Sequence, residues 1–196
     1  NRNGNAGVLH VFDISGADTN MTPIAHWSVG VHNNNPLDSS LGYAADFSPN
    51  GDHVYVSKLY IGELFRYDIT SRNSSTIKAS ERFIGFTSCE HFRDCAVADS
   101  LPNSSVPNQP SWMGPGFGGD GGGQVLRGPD GRVYVADRGA NKISYIERPD
   151  APNAATDAAT AAAIGWNRGG LSLGSGISRY GLPQMVTLHS PRLLSY

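Results

Sequence analysis

Residues 123–146 read GQVLRGPDGRVYVADRGANKISYI. The triplet Pro129-Asp130-Gly131 stands between two β-rich runs, and Arg138-Gly139-Ala140-Asn141 precedes a third. Proline and glycine are the strongest local punctuation in a chain, and runs such as Val133-Tyr134-Val135 suit a pleated, half-buried surface. Strand, turn, strand, turn, strand is one antiparallel sheet written in a line. Whether it stands alone or repeats decides the fold.

It repeats. GVLHVFDIS at 7–15 aligns with GELFRYDIT at 62–70 at a constant offset of 55, matching Leu9 to Leu64, Phe12 to Tyr67 and Asp13 to Asp68. Val54-Tyr55-Val56 aligns with Val133-Tyr134-Val135 at an offset of 79, which also places Leu64 on Ile143, Tyr67 on Ile146 and Asp68 on Glu147. Ser48-Pro49-Asn50-Gly51 matches Gly128-Pro129-Asp130-Gly131 at an offset of 80, a slip of one residue within the turn. Asn50-Gly51 and Asp130-Gly131 are expected to adopt the positive φ angles of a tight hairpin. Sheet units recurring at more than 40 residues predict an all-β chain, a partial β-propeller of about three to four blades with long inserted loops. The units run 1–15 (the end of a preceding blade), 16–70, 71–149 and 150–196, a partial blade.

Composition agrees with this class. The 196 residues are 39% apolar, with 24 Gly and 12 Pro, which favours short strands and loops around a thin core. Only 16% are charged and the net charge is -2, so no basic face invites nucleic acid. No run of 18 apolar residues suggests a membrane span. The chain opens NRNGNAG without a charged-then-apolar leader, which reads as a mature or excised start. Low charge with abundant Asn, Ser, Thr and Gly is common in secreted β-proteins.

The largest insertion follows a candidate strand, Arg82–Phe86, and runs over residues 87–122. Loops of that length within a compact unit are functional or disordered. Cys89 and Cys95 stand near its start, spaced too widely for a CxxC redox motif and without a second pair to complete a zinc site. Free thiols are the plain alternative; the secreted composition favours a Cys89–Cys95 disulfide. The alanine-rich stretch 151–163 has helix propensity but no apolar stripe, so it reads equally as a short surface helix or a loop.

With FSPNG at 47–51, GPDGRVYVA at 128–136, PDAPN at 149–153 and GLPQM at 181–185 in order, the chain resembles the propeller region of secreted Bacteroidetes proteins. Those proteins carry a C-terminal gliding-motility-associated, type IX secretion sorting domain. The likeness covers residues 43–70 and 123–186; the Cys89–Cys95 loop is not part of the shared pattern. Residues 128–143 also resemble an NHL repeat, another propeller unit. Both resemblances imply the same architecture, and the first implies a secreted or cell-surface location.

Catalytic motifs are sparse. Gly116-Phe117-Gly118-Gly119-Asp120-Gly121 fits GxGxxG, but a dinucleotide site needs a strand before it and a helix after it; here a proline-rich loop precedes and a strand-like run follows. The histidines at 10, 26, 32, 53, 91 and 189 form no HxxxH pair, and neither HExxH nor GxSxG occurs. Asp46, Asp68, Asp130 and Asp137 are the carboxylates that would give oxygen ligands to Ca²⁺. Their structural reading is stronger: Asp130 makes the turn, and Asp13, Asp68 and Glu147 end equivalent strands and cap the next turn. Among the aromatics, Trp27 and Tyr43 are expected between blades. Trp112, Phe117 and Tyr180 are the ligand-contact candidates, since binding concentrates in loops. The expected function is a non-catalytic extracellular scaffold or adhesion module without a required cofactor. Its partners would be a surface protein or glycan, and other chains or further blades that complete the ring. In this expectation Val8–Ile14 is an outer strand paired from elsewhere or by Met185–Leu188. The alternative is a lactonase-like propeller hydrolase or lyase with a metal in its channel.

Overall fold

The two proline turns are built alike. In the computed structural model, which describes residues 7–12, 23–29, 42–58, 62–87, 123–137, 140–178 and 181–182, the Gly51 N–H donates to the Ser48 carbonyl at 2.9 Å and the Gly131 N–H to the Gly128 carbonyl at 3.2 Å. Gly51 and Gly131 take φ of 80° and 82°, whereas Asn50 and Asp130 do not take positive φ. This corrects the sequence expectation. A proline-led type I turn needs the left-handed conformation only at the residue that follows it. The Asn50 and Asp130 side chains close the turns instead, accepting from the Asp52 N–H at 3.0 Å and the Arg132 N–H at 3.2 Å. The Ser48 N–H reaches the His53 carbonyl and the Gly128 N–H the Arg132 carbonyl, both at 2.8 Å. The second turn is thus one residue shorter, which is the slip seen in the alignment.

The described chain is mostly β-strand. Strands β1 (Gly7–Phe12) and β2 (Pro23–Val29) form an antiparallel ribbon. Strands β3 (Gly42–Phe47), β4 (His53–Lys58), β5 (Glu63–Asp68) and β6 (Arg82–Phe86) form a four-stranded antiparallel meander in chain order. Strands β7 (Val125–Arg127), β8 (Val133–Ala136), β9 (Lys142–Ile146) and β10 (Trp166–Ser172) form a second one. None of the three sheets closes on itself among the described residues. The sheets end one strand later than the units expected from sequence. β2 belongs with β1, β6 with 42–68 and β10 with 125–146, so the boundaries at 15/16, 70/71 and 149/150 each cut a sheet before its last strand.

The displaced cut has a cause: a short helix precedes the last strand of each meander. Helix α1 (Ser74–Ala79) lies between β5 and β6, and α2 (Asp157–Ile164) between β9 and β10. Asn73 caps α1, its Oδ1 accepting from the Thr76 N–H at 3.0 Å; Thr156 caps α2, its Oγ1 accepting from the Ala159 N–H at 3.2 Å. Each helix buries one isoleucine, Ile77 or Ile164, fully. Each rests on the last strand of the preceding sheet, α1 on β2 and α2 on β6.

The sheets therefore stack in series, and β4 is buried along its whole length because both its faces are covered. One face of the middle sheet, with Val54, Val56, Phe65 and Tyr67, packs on Val11, Ala25, Trp27 and Val29 of the ribbon. The other, with Tyr55, Leu64 and Ile84, packs on Val125, Val133, Val135 and Ile146 of the last sheet. The period-2 alternation of a strand sends neighbouring residues to opposite cores. The same contact set recurs: Trp27, Tyr67 and Ile77 at the first interface, Ile84, Ile146 and Ile164 at the second. Trp27 thus lies between sheets as expected. Tyr43 on β3 does so only in part, 43% exposed at the rim of the ribbon interface.

Candidate functional site

A seam of polar side chains crosses the second interface. The Tyr55 hydroxyl donates to the Pro149 carbonyl at 2.8 Å, and the Ser57 hydroxyl to the Gly123 carbonyl at 2.7 Å. Asp46 accepts from the Arg127 N–H at 2.6 Å, and Asp150 from the Asn50 N–H at 3.1 Å. Arg66 donates through Nη2 to the Ala151 carbonyl. Four side chains of the middle sheet thus grip the backbone of the last unit, at Gly123, Arg127, Pro149 and Ala151, and Asp150 grips the backbone of the middle sheet's turn in return.

Arg66 is the unusual member. It is 0% exposed, and its Nε and Nη1 meet no acceptor among the described residues. In the 55-residue frame it stands where the ribbon has Val11. Burial lowers the guanidinium from its ordinary value, while the Tyr55 hydroxyl, Asp68 and Asp150 oppose that shift. Burial likewise raises the Tyr55 phenol, against Arg66. Burial, and then Arg66, lower the His53 imidazole; Asp68, Asp52 and Asp150 pull it back. A buried neutral histidine, a buried protonated phenol and a buried guanidinium offer no face to a solute. The seam bonds two sheets to each other.

A second feature lies at the first interface. Val8, Leu9, Val29, Gly42, Tyr43, Ala44, Ala45 and Val56 line an apolar groove of ≈ 120 Å³ between β1 and β3. The space is smaller than common ligand pockets, which are about 300–1,000 Å³.

The four candidate calcium carboxylates serve separate local bonds. Asp46 takes part in the seam. The Asp68 Oδ1 caps the next turn through the Thr70 N–H at 3.0 Å and hydroxyl at 2.6 Å. Asp130 accepts from the Tyr134 hydroxyl at 2.7 Å, and the buried Asp137 from the Ser144 hydroxyl at 2.6 Å. Among the described residues no three His, Cys, Asp or Glu side chains are grouped so as to hold a metal ion. Capping is not uniform along the repeat. Glu147, the counterpart of Asp68, pairs instead with Arg132 at 2.7 Å, because its longer side chain reaches across the hairpin.

Cys89, Cys95, Trp112, Phe117 and Tyr180 lie outside the described residues, as do the glycine motif at 116–121 and Met185–Leu188. No helix among the described residues is long and apolar enough to cross a membrane. The seam was missed in the sequence, although it left one signal: an arginine inside an otherwise buried strand, LFRYD, where the repeat has valine. The chain matches no family model, no curated protein and no solved structure.

Proposed function

We propose that this chain is a segment of a β-propeller serving as a non-catalytic extracellular scaffold or adhesion module. The observation that carries the reading is the repeated sheet-on-sheet contact. Two four-stranded meanders and a ribbon stack in series, each meander with its helix on the last strand of the sheet before it. Four-stranded antiparallel blades in sequence are what a propeller is made of. The ribbon is the outer half of such a blade: Leu9 and Val11 pack as their counterparts Leu64 and Arg66 do, each toward the following sheet.

The ends of the stack support further sheets on both sides. Phe12 is 42% exposed, whereas its counterpart Tyr67 is fully buried. At the other end Tyr134 is half-buried and bonds its own turn, whereas its counterpart Tyr55 is fully buried and bonds the next sheet. Val8 and Ile24 at the first end and Leu171 at the second are also exposed. Apolar faces of this kind mark surfaces made to be covered, by further blades or by another chain. Low charge and the Asn/Ser/Thr/Gly-rich composition favour the extracellular setting.

Sedimentation velocity with small-angle scattering tests the reading. The expected result is concentration-dependent association of the 196-residue chain, weakened by the paired substitutions Phe12→Ser and Tyr134→Ser. A monodisperse monomer whose scattering fits a closed ring would overturn it.

A further inference from the structure

The face of the ribbon that turns away from the other sheets carries a pair of imidazoles. His10 on β1 and His26 on β2 are directly opposed in the strand register. Their rings lie 5.7 Å apart, centroid to centroid, with planes inclined by 25°. Both side chains are exposed. We propose that His10 and His26 form a chelating site for a divalent transition-metal ion of the Zn²⁺ or Cu²⁺ class.

The repeat makes the pair conspicuous. The equivalent opposed pair on the middle sheet is Phe65 and Phe83, with centroids 5.5 Å apart. There the position is filled by two hydrocarbon rings, Phe65 being buried in the core. On the ribbon the same position holds two groups that combine a flat ring with a nitrogen lone pair.

The spacing suits a metal. An ion held by two imidazole nitrogens about 2.0–2.1 Å away puts the ring centroids roughly 5 Å apart. The rings now lie nearly parallel, and rotation of the two exposed side chains about χ1 and χ2 is what would turn one nitrogen of each toward a shared ion. The backbone is fixed on both sides. β1 and β2 pair along their length, and the His26 N–H donates to the Ser74 hydroxyl of α1 at 3.1 Å. Phe12 stands beside His10 at 6.2 Å, nearly parallel, and walls the site on one side. Two neutral imidazoles favour Zn²⁺, Cu²⁺ or Ni²⁺ over Ca²⁺ or Mg²⁺, which prefer oxygen. Water completes the coordination. The pair shares its face with Val8, Phe12 and Ile24, so the site is open to a ligand's carboxylate or imidazole when that face is uncovered, and a neighbouring sheet or chain seated there would supply the remaining ligands. The metal titration and the association assay read different quantities, so one reading can fail without the other.

The test uses the full chain with any free thiols alkylated. Zn²⁺ is titrated by calorimetry, and Cu²⁺ is followed by electron paramagnetic resonance. One equivalent of each ion is expected to bind, with the Cu²⁺ spectrum showing coupling to two nitrogens. His10→Ala and His26→Ala, both on an exposed face and so compatible with the fold, should each weaken binding at least tenfold; losing a group that merely orients a ligand already costs about 10–100-fold. The triple variant His32→Ala/His91→Ala/His189→Ala should bind as the parent does. Failure of the parent to bind either ion, or full binding by His10→Ala/His26→Ala, would overturn the proposal.

Discussion

The Tyr55 hydroxyl donates to the Pro149 carbonyl at 2.8 Å, joining residues 94 positions apart across two sheets. Both residues are buried, so the carbonyl has no water to turn to when the donor is removed. Tyr55→Phe should lower the unfolding free energy by about 1–3 kcal/mol, the cost of an unsatisfied buried acceptor. Denaturant titration measures it. A loss below roughly 0.5 kcal/mol would show that the bond contributes nothing net.

Lys58 and Glu63 face each other at 3.5 Å with side chains only 7% and 10% exposed, and the Lys58 ammonium lies 3.5 Å from the centroid of the Phe65 ring. Burial lowers Lys58 and raises Glu63, each opposed by its partner. Removing one charge strands the other. Lys58→Met should therefore cost about 3–5 kcal/mol, whereas Lys58→Met/Glu63→Leu should return to near the parent stability. A thermodynamic cycle of the four proteins settles the point; equal losses in the single and double variants would contradict it.

His53 gives a pH dependence with a definite sign. Burial and Arg66 lower its imidazole below the ordinary 6.5, so the unfolded chain takes up the proton more readily. Stability from this group is fully present above pH 6.5 and is lost as pH falls from there toward the folded value. The parent should lose stability over that window, and His53→Gln should lose less of it. Parallel slopes for the two proteins would place the acid sensitivity elsewhere. Asp68 acts in a separate, lower window. Burial raises it, but the Thr70 hydroxyl and N–H outweigh this and hold it below 3.8.

Cys89 and Cys95 are expected to be bonded to each other. Mass spectrometry of the unreduced chain after treatment with iodoacetamide should find neither cysteine alkylated. Alkylation of both would return them to free thiols.

Much of the architecture was legible because turns write themselves into sequence. Pro49-Asn50-Gly51 and Pro129-Asp130-Gly131 gave the hairpins, and the match of Leu9 to Leu64 gave the serial stacking. β2 was not legible, since PIAHWSV shares no residues with RFIGF beyond its apolar alternation. α1 was hidden for a different reason. Six residues, SSTIKA, are too few for a helical period, and the helix is held by a cap and one buried isoleucine rather than by propensity. The seam escaped because partners such as Arg66 and Ala151 are set by tertiary packing, which no local pattern encodes. The His10–His26 pair escaped too, because its two members meet only once the register of β1 and β2 is known.

The seating of α1 on β2, and of α2 on β6, gives the stack a direction in time as well as in space. A polypeptide leaves the ribosome amino end first. When α1 emerges, the strand it must cover already exists; when α2 emerges, so does β6. Each helix thus closes on a template made by its predecessor, while the Tyr55 and Arg66 bonds wait for Pro149 and Ala151 of the unit that follows. Order is laid down like courses of brick, with the turn at Pro149–Ala151 as the mortar of the last joint. A lesion in one unit should then trouble the synthesis of those after it more than those before it.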